Sequence, residues 1–444
     1  MAAKTTRRQF VQTTAAVGIG YWVAGGVQAQ ESKSPNEKVA IACIGIEGKG
    51  KSDSDDADRY GQVVAICDID EDRLGPRSLR FPKAKAYTDF RKMLEEMDKS
   101  IDAVTVSTPD HTHAPAAVMA MRMGKHCFCQ KPLTHTIEEA RILADVAREK
   151  KLITQMGNQG TAEEGTRKGA ALLKAGVVGT VKEIHVWTNR PIWPQGLEAP
   201  KKGEPVPSKL HWDLFLGPAK ERPYAPVYHP FKWRGWWDFG TGALGDMACH
   251  TLNLGFMGLD LRDPISVQAE TSGHNHESYP KWSIIEYMFP ERNGRPAVKM
   301  TWYDGGKLPP IELLQGEKVN SSGLLIIGDK GALYSPHDYG AQWKLLGGAT
   351  EKPVEFKRSP GHFKEWTDGI KNGEQPMSNF PDYAGPLTET VLLGNLAVWV
   401  ADKEGGKGKK IEWNAKELKA TNAPETDAIV RKEYRKGFSV HELG

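Results

Sequence analysis

The sequence predicts a two-domain α/β protein: an N-terminal doubly wound parallel sheet, then an α+β domain on an open, mostly antiparallel sheet. Three observations carry this. Apolar strand-like runs alternate with helical segments from Val39 to Met156. Those runs are nearly continuous in Val, Ile, Ala and Cys, as strands covered on both faces require. From Val181 the pattern changes to longer strands grouped together, VKEIHVWTN, PISVQAETS, WSIIEYMFP, AVKMTWYDG, GLLIIGD and GALYS.

The first unit is the most informative. An apolar run from Val39 ends at Gly45, glycines follow at Gly48 and Gly50, a polar helical segment intervenes, and a second run, VVAIC, delivers Asp68. This is the layout of a dinucleotide-binding βαβ unit. Glycines let the backbone approach a pyrophosphate, the helix N-terminus faces its charge, and the acid after the second strand takes a ribose diol. Asp68 favours NAD over NADP, because a 2′-phosphate would meet its carboxylate. Glu47 occupies the place of the middle glycine of G-x-G-x-x-G, so its side chain is expected to turn away from the pyrophosphate. The helix is expected to open near Ser52, with Asp53, Asp55, Asp56 and Asp58 as solvated acids in its first turn rather than a metal site.

Later elements continue the alternation. Strands are expected at 84–87, 103–107 and 152–156, a short one ends at Gln130, and helices are expected at 89–97 and 136–150. Ligands bind at the carboxyl ends of such strands. Thr108, Pro109 and His113 after the fourth strand, and Gln159 after the last, are therefore cofactor-binding candidates; capping or surface polarity is an equal alternative for His113 and the preferred reading for His111. Lys131 ends a strand before Pro132, where a cation can hold a substrate hydroxyl and assist proton transfer.

Beyond Thr161 a helix is expected up to Gly176. In WRGWWDFGTGALGDMACH, Asp246 and His250 stand four apart on one helical face. Such a pair can orient and activate an imidazole as a general base, or merely stabilise the helix. Of the tryptophans crowded between Trp187 and Trp237, most are expected in the core and one or two, Trp237 among them, against a sugar face. The loop 191–209 suits a lid or a subunit contact. Residues 362–370 and 387–400 are expected as helices returning to the first domain, and the polar tail from about Lys416 is expected on the surface.

Together, PDHTH, the Lys-Pro turn followed by THTIEEA, and QMGNQG after a glycine turn resemble the glucose-fructose oxidoreductase/inositol dehydrogenase/MocA family, closest to its Tat-exported bacterial members. The resemblance covers residues 38–440. It implies a Rossmann domain (residues 36–160), a C-terminal substrate and oligomerisation domain (161–440), and tightly bound NAD. The expected reaction is oxidation or reduction of a sugar, sugar derivative or polyol. Lys131, Asp246 and His250 would be the catalytic set, contacting substrate together with Trp237; Lys131 would also touch the cofactor beside Gly45, Gly48, Gly50, Asp68, Thr108, Pro109, His113 and Gln159. The family's Glu-Lys-Pro is Gln130-Lys131-Pro132 here. A homo-oligomer through the C-terminal sheet is expected. Two alternatives keep parts of this scheme: an NAD-dependent glycosidase or lyase working by transient oxidation and elimination, and a sugar-binding protein with a vestigial nucleotide fold.

The 444 residues suffice for two or three domains. Lys4-Thr5-Thr6-Arg7-Arg8-Gln9-Phe10, a short apolar stretch and Val27-Gln28-Ala29 form a twin-arginine export signal, residues 1–29, whose partner is the Tat machinery. Export implies a periplasmic location with no stable membrane anchoring after cleavage. The signal holds three cations and no acid, so the rest of the 59 basic residues balances the 56 acidic ones. Nothing in that balance points to nucleic acid. Cys43, Cys67, Cys127, Cys129 and Cys249 lack metal spacing and are expected as small buried residues, and no metal is expected.

Overall fold

The computed structural model describes residues 38–444; the export signal lies outside them. Six parallel strands form the first sheet: β1 (Ala40–Ile44), β2 (Gln62–Cys67), β3 (Lys85–Tyr87), β4 (Ala103–Val106), β5 (His126–Cys129) and β6 (Thr154–Met156), in the order β3-β2-β1-β4-β5-β6. Order reverses between β1 and β4, which opens a crevice at their carboxyl ends. Helices α1 (Lys49–Tyr60), α2 (Glu71–Arg80), α3 (Phe90–Met97), α4 (Asp110–Arg122) and α5 (Ile137–Glu149) connect these strands. Their ends follow local chemistry. Asp70 and Asp89 cap α2 and α3, and Thr136 with Glu139 forms a reciprocal capping box on α5.

Helix α1 corrects one expectation. It starts at Lys49 rather than near Ser52, so its acids lie beyond the first turn, and Asp53 is 1% exposed instead of solvated. The five cysteines are free and buried, as expected from their apolar surroundings.

After α6 (Glu164–Lys174) the second sheet begins. It comprises β7 (Val181–Trp187), β8 (Ser266–Thr271), β9 (Ser283–Phe289), β10 (Val298–Tyr303), β11 (Gly323–Gly328), β12 (Gly331–Pro336), β13 (Lys344–Leu346), and the short β14 (Gly406–Lys407), β15 (Ile411–Asn414) and β16 (Lys419–Ala420). The order is β13-β12-β11-β7-β10-β9-β8-β15-β16, with β14 also paired to β8. Every pairing is antiparallel except β7 with β10. Strand β9 alternates buried and half-buried residues, so one face is packed and the other open. On the packed face lie α7 (Gly242–Thr251), α8 (Asn253–Leu259) and, later, α10 (Gly385–Trp399). Gly394 of α10 lets that helix close on the sheet: a Cβ there would lie 2.1 Å from the Tyr287 hydroxyl.

Two late helices do return to the first sheet. In α9 (His362–Asn372), Trp366 is fully buried against Phe128, and its Nε1 donates to the Ile153 carbonyl at 3.2 Å. Helix α10 meets α5, where Arg141 grips Glu389 with two bonds of 2.8 and 2.7 Å. The tail from Lys416 runs mostly over the surface, as expected, and is anchored at a few points. Residues 406–420 complete the sheet edge, Val430, Phe438 and Val440 are buried, and Lys432 pairs with the fully buried Glu139 at 2.8 Å. Among the described residues, no helix is long and apolar enough to cross a membrane.

Candidate active site

A cleft of about 860 Å³ lies at the carboxyl ends of β1, β2, β4 and β5 and is closed on its far side by residues of the second domain. Its floor is the glycine turn. Gly45 has φ +75°, and a Cβ there would lie 2.6 Å from the Ser107 carbonyl oxygen; a Cβ on Gly50 would lie 2.1 Å from that of Gly45. Both positions therefore demand glycine. Gly48, with φ +61°, caps α1 and opens onto free space. Asp68 borders the turn. Its carboxylate accepts the Ile46 and Asp70 N–H groups at 3.1 Å each, while burial raises its pKa above the ordinary carboxylate value despite those bonds. Backbone approach, a helix N-terminus and an acid at the second strand's end fit a dinucleotide.

Glu47 does not turn away. It lines the cleft, and its Oε2 accepts the Gly48 N–H at 3.3 Å. Beneath the turn, Asp53 explains Gln130. The Gln130 amide donates to Asp53 Oδ2 at 2.8 Å, the Ser107 hydroxyl donates to the same oxygen at 2.7 Å, and Lys49 pairs with Oδ1 at 2.7 Å. Asp53 of α1 thus places a buried carboxylate directly against the Gln130 side chain. An uncharged amide is the side chain that can face it.

Thr108, Pro109, His113, Lys131 and Gln159 all line the cleft. Both ring nitrogens of His113 face carbonyls, Pro132 at 2.8 Å and Thr108 at 2.9 Å, and burial lowers its pKa to about 4. The neutral ring donates its one N–H to one of these carbonyls and packs its other nitrogen against the second, so neither nitrogen is open to a ligand. His111 is tied in the same manner to Phe215 and Phe239.

Lys131 meets Asp246 and His250, 115 and 119 residues further along the chain, on one wall. Their pairing differs from expectation. Lys131 Nζ donates to Asp246 Oδ1 at 2.7 Å and to the Asp246 carbonyl at 2.8 Å, and Arg234 Nε lies 3.4 Å from the same Oδ1. Burial opposes the charge of Asp246, but these two cations hold its pKa down at about 2. Asp246 therefore orients the lysine instead of the histidine. His250 Nδ1 is buried with no hydrogen-bond partner among the described residues, which leaves Nε2 as the nitrogen open to the cleft. Burial, reinforced by Lys131, keeps the imidazole well below its ordinary pKa and hence neutral.

Trp237 is not on this wall. It stacks on Tyr279 at 3.8 Å and meets Trp399 edge-on, so it is a packing residue. The cleft aromatics are Phe90, Trp193, Phe215, Phe231, Trp233 and Tyr339, the last with its ring edge-on to His250 at 4.8 Å. Sequence reasoning missed Arg234 and Tyr339. Arg234 stood within the glycine-tryptophan segment already singled out, whereas Tyr339 lies in a β12–β13 loop with no local signal.

Two family models match this architecture: an oxidoreductase family NAD-binding Rossmann fold over residues 28–158, and the same family's C-terminal alpha/beta domain over 172–338. The chain belongs to the glucose-fructose oxidoreductase/inositol dehydrogenase/MocA family. It is similar to a levoglucosan dehydrogenase of Pseudarthrobacter phenanthrenivorans, 23% identical over 43% of this chain and 40% of that protein. It is also similar to a glycosyl hydrolase family 109 protein of Solibacter usitatus, 32% identical over 31% of this chain and 35% of that one. This family member thus spans well under half the length of those relatives in the matched segments. In fold it resembles an inositol dehydrogenase homolog of Azotobacter vinelandii, solved with NADH and myo-inositol, at TM-score 0.54 and 17% identity over 85% of this chain and 98% of that one.

Proposed function

We propose that this family member is an NAD-dependent oxidoreductase of a sugar or polyol hydroxyl, with the nucleotide held tightly. The observation that carries this is the convergence of the glycine turn, Asp68, Lys131 and His250 on one cleft. NAD, when bound, supplies the hydride acceptor. Gly45, Gly50 and the start of α1 would hold its pyrophosphate, and Asp68 its ribose. Lys131 spends two ammonium hydrogens on Asp246 and keeps the third for a substrate oxygen. His250, neutral and open at Nε2, takes the hydroxyl proton there. Burial chiefly opposes the resulting imidazolium, Lys131 opposes it further, and Asp246 favours it.

Mass spectrometry of nucleotide released from the purified protein, followed by reduced-nicotinamide absorbance on adding sugars and polyols, tests this reading. His250→Ala should slow reduction by about 10²–10⁴-fold with nucleotide content unchanged. Protein that never carries nucleotide, or a variant as fast as wild type, would refute it. The likeness to a glycosyl hydrolase favours a second reading, transient oxidation followed by elimination; aglycone release without added NAD distinguishes it. The twin-arginine segment supports Tat export to the periplasm, and the open face of the second sheet supports a homo-oligomer.

A further inference from the structure

Eight large apolar side chains among the described residues are exposed, and three of them, Ile192 (65%), Phe231 (44%) and Tyr339 (41%), line this one cleft. The three come from separate segments, so their gathering is a property of the fold rather than of a local sequence run. Phe231 is held in place: its ring meets Trp193 edge-on at 6.2 Å, and the Arg234 guanidinium lies over it at 4.9 Å. Tyr339 adds apolar surface at the polar end of the cleft, where its ring meets that of His250. The cleft is thus amphipathic: Lys131, Asp246 and His250 on one wall, and apolar surface open to water nearby.

A free hexose or inositol can lay one C–H face on a single ring but carries no apolar group that would cover Phe231 and Ile192 together. A glycoside with an apolar substituent matches this surface, with sugar hydroxyls toward Lys131 and His250 and the substituent covering Phe231 and Ile192. We infer that the substrate class is a glycoside bearing an apolar aglycone, in preference to a free sugar. This rests on the proposed function for the position of the sugar ring.

The test compares phenyl and methyl glycosides of one sugar, in the protein with its nucleotide bound, by calorimetric affinity and by KM for reduction of the bound nucleotide. A phenyl group that leaves water should bind about tenfold more tightly than a methyl group. The double variant Phe231→Ala/Ile192→Ala should bring the two glycosides within about twofold with nucleotide content unchanged, and Ile192→Ala alone, which leaves Phe231 under Arg234, should narrow the preference in the same direction. Equal affinities in the wild type would overturn the inference, as would a preference that survives the double variant. A change in subunit number in that variant would also overturn it, because the patch would then be a subunit contact. A phenyl preference in affinity with no hydride transfer would leave the aglycone surface standing and remove the proposed function alone.

Discussion

Gln130→Glu restores the Glu-Lys-Pro pattern, yet the structure says it should harm this protein. The amide of Gln130 lies 2.8 Å from Asp53 Oδ2, and the two side chains are 5% and 1% exposed. Two carboxylates at that separation repel by about 6 kcal/mol at an effective dielectric constant of about 20. Keeping the new carboxyl protonated at pH 7 costs about 4 kcal/mol, from an ordinary glutamate pKa of about 4.3. Protonation is cheaper, so the variant folds with a shared proton. Its folded pKa is raised above the unfolded one, so the folded state holds a proton that the unfolded chain releases. Stability therefore falls as pH rises, by about 1.4 kcal/mol per unit, until the folded pKa is passed. The penalty should be about 1 kcal/mol at pH 5 and about 5 kcal/mol at pH 8. The assay is the denaturation midpoint of wild type and variant across that range, with nucleotide content as a second readout. Adding Asp53→Asn should remove the repulsion and flatten the difference. Parallel midpoints at all pH values would refute the reasoning.

Three further outcomes follow from the site. Glu47→Gly removes a carboxylate from the N-terminus of α1, so nucleotide retention should equal or exceed that of wild type by dialysis; a marked loss would show that Glu47 belongs to the nucleotide site. Asp246, held at about 2, contributes stability that is complete above its unfolded value of 3.8 and lost as pH falls through 2, about 2 kcal/mol in size. Asp246→Asn should flatten the acid limb of a denaturation curve between pH 4 and 2, and an unchanged limb would place that term elsewhere. Asp68→Ala should narrow the preference for NAD over NADP in equilibrium binding; a preference left as in the wild type would show that Asp68 does not face the ribose.

Much of this protein was decided by local chemistry. Alternating apolar runs, the glycines at 45 and 50, the acid at 68 and the capping residues of α2, α3 and α5 act over a few positions, so the sequence alone determined the parallel sheet, the ligand-binding edge and the candidacy of Lys131, Asp246 and His250. What only the tertiary structure decided is who faces whom. Asp246 and His250 share a helical face, which suggested one as orienter of the other, but Lys131 arrives from 115 residues away and takes the carboxylate. Asp53 had every local mark of a solvated acid until β4 and β5 brought Ser107 and Gln130 onto it. Trp237 and Phe231 are equally aromatic in sequence, and packing alone sends one into the core and leaves the other open to the cleft. Periodicity specifies which face of an element is buried; long-range pairing of charges depends on where other elements end, and no short window of residues contains that information.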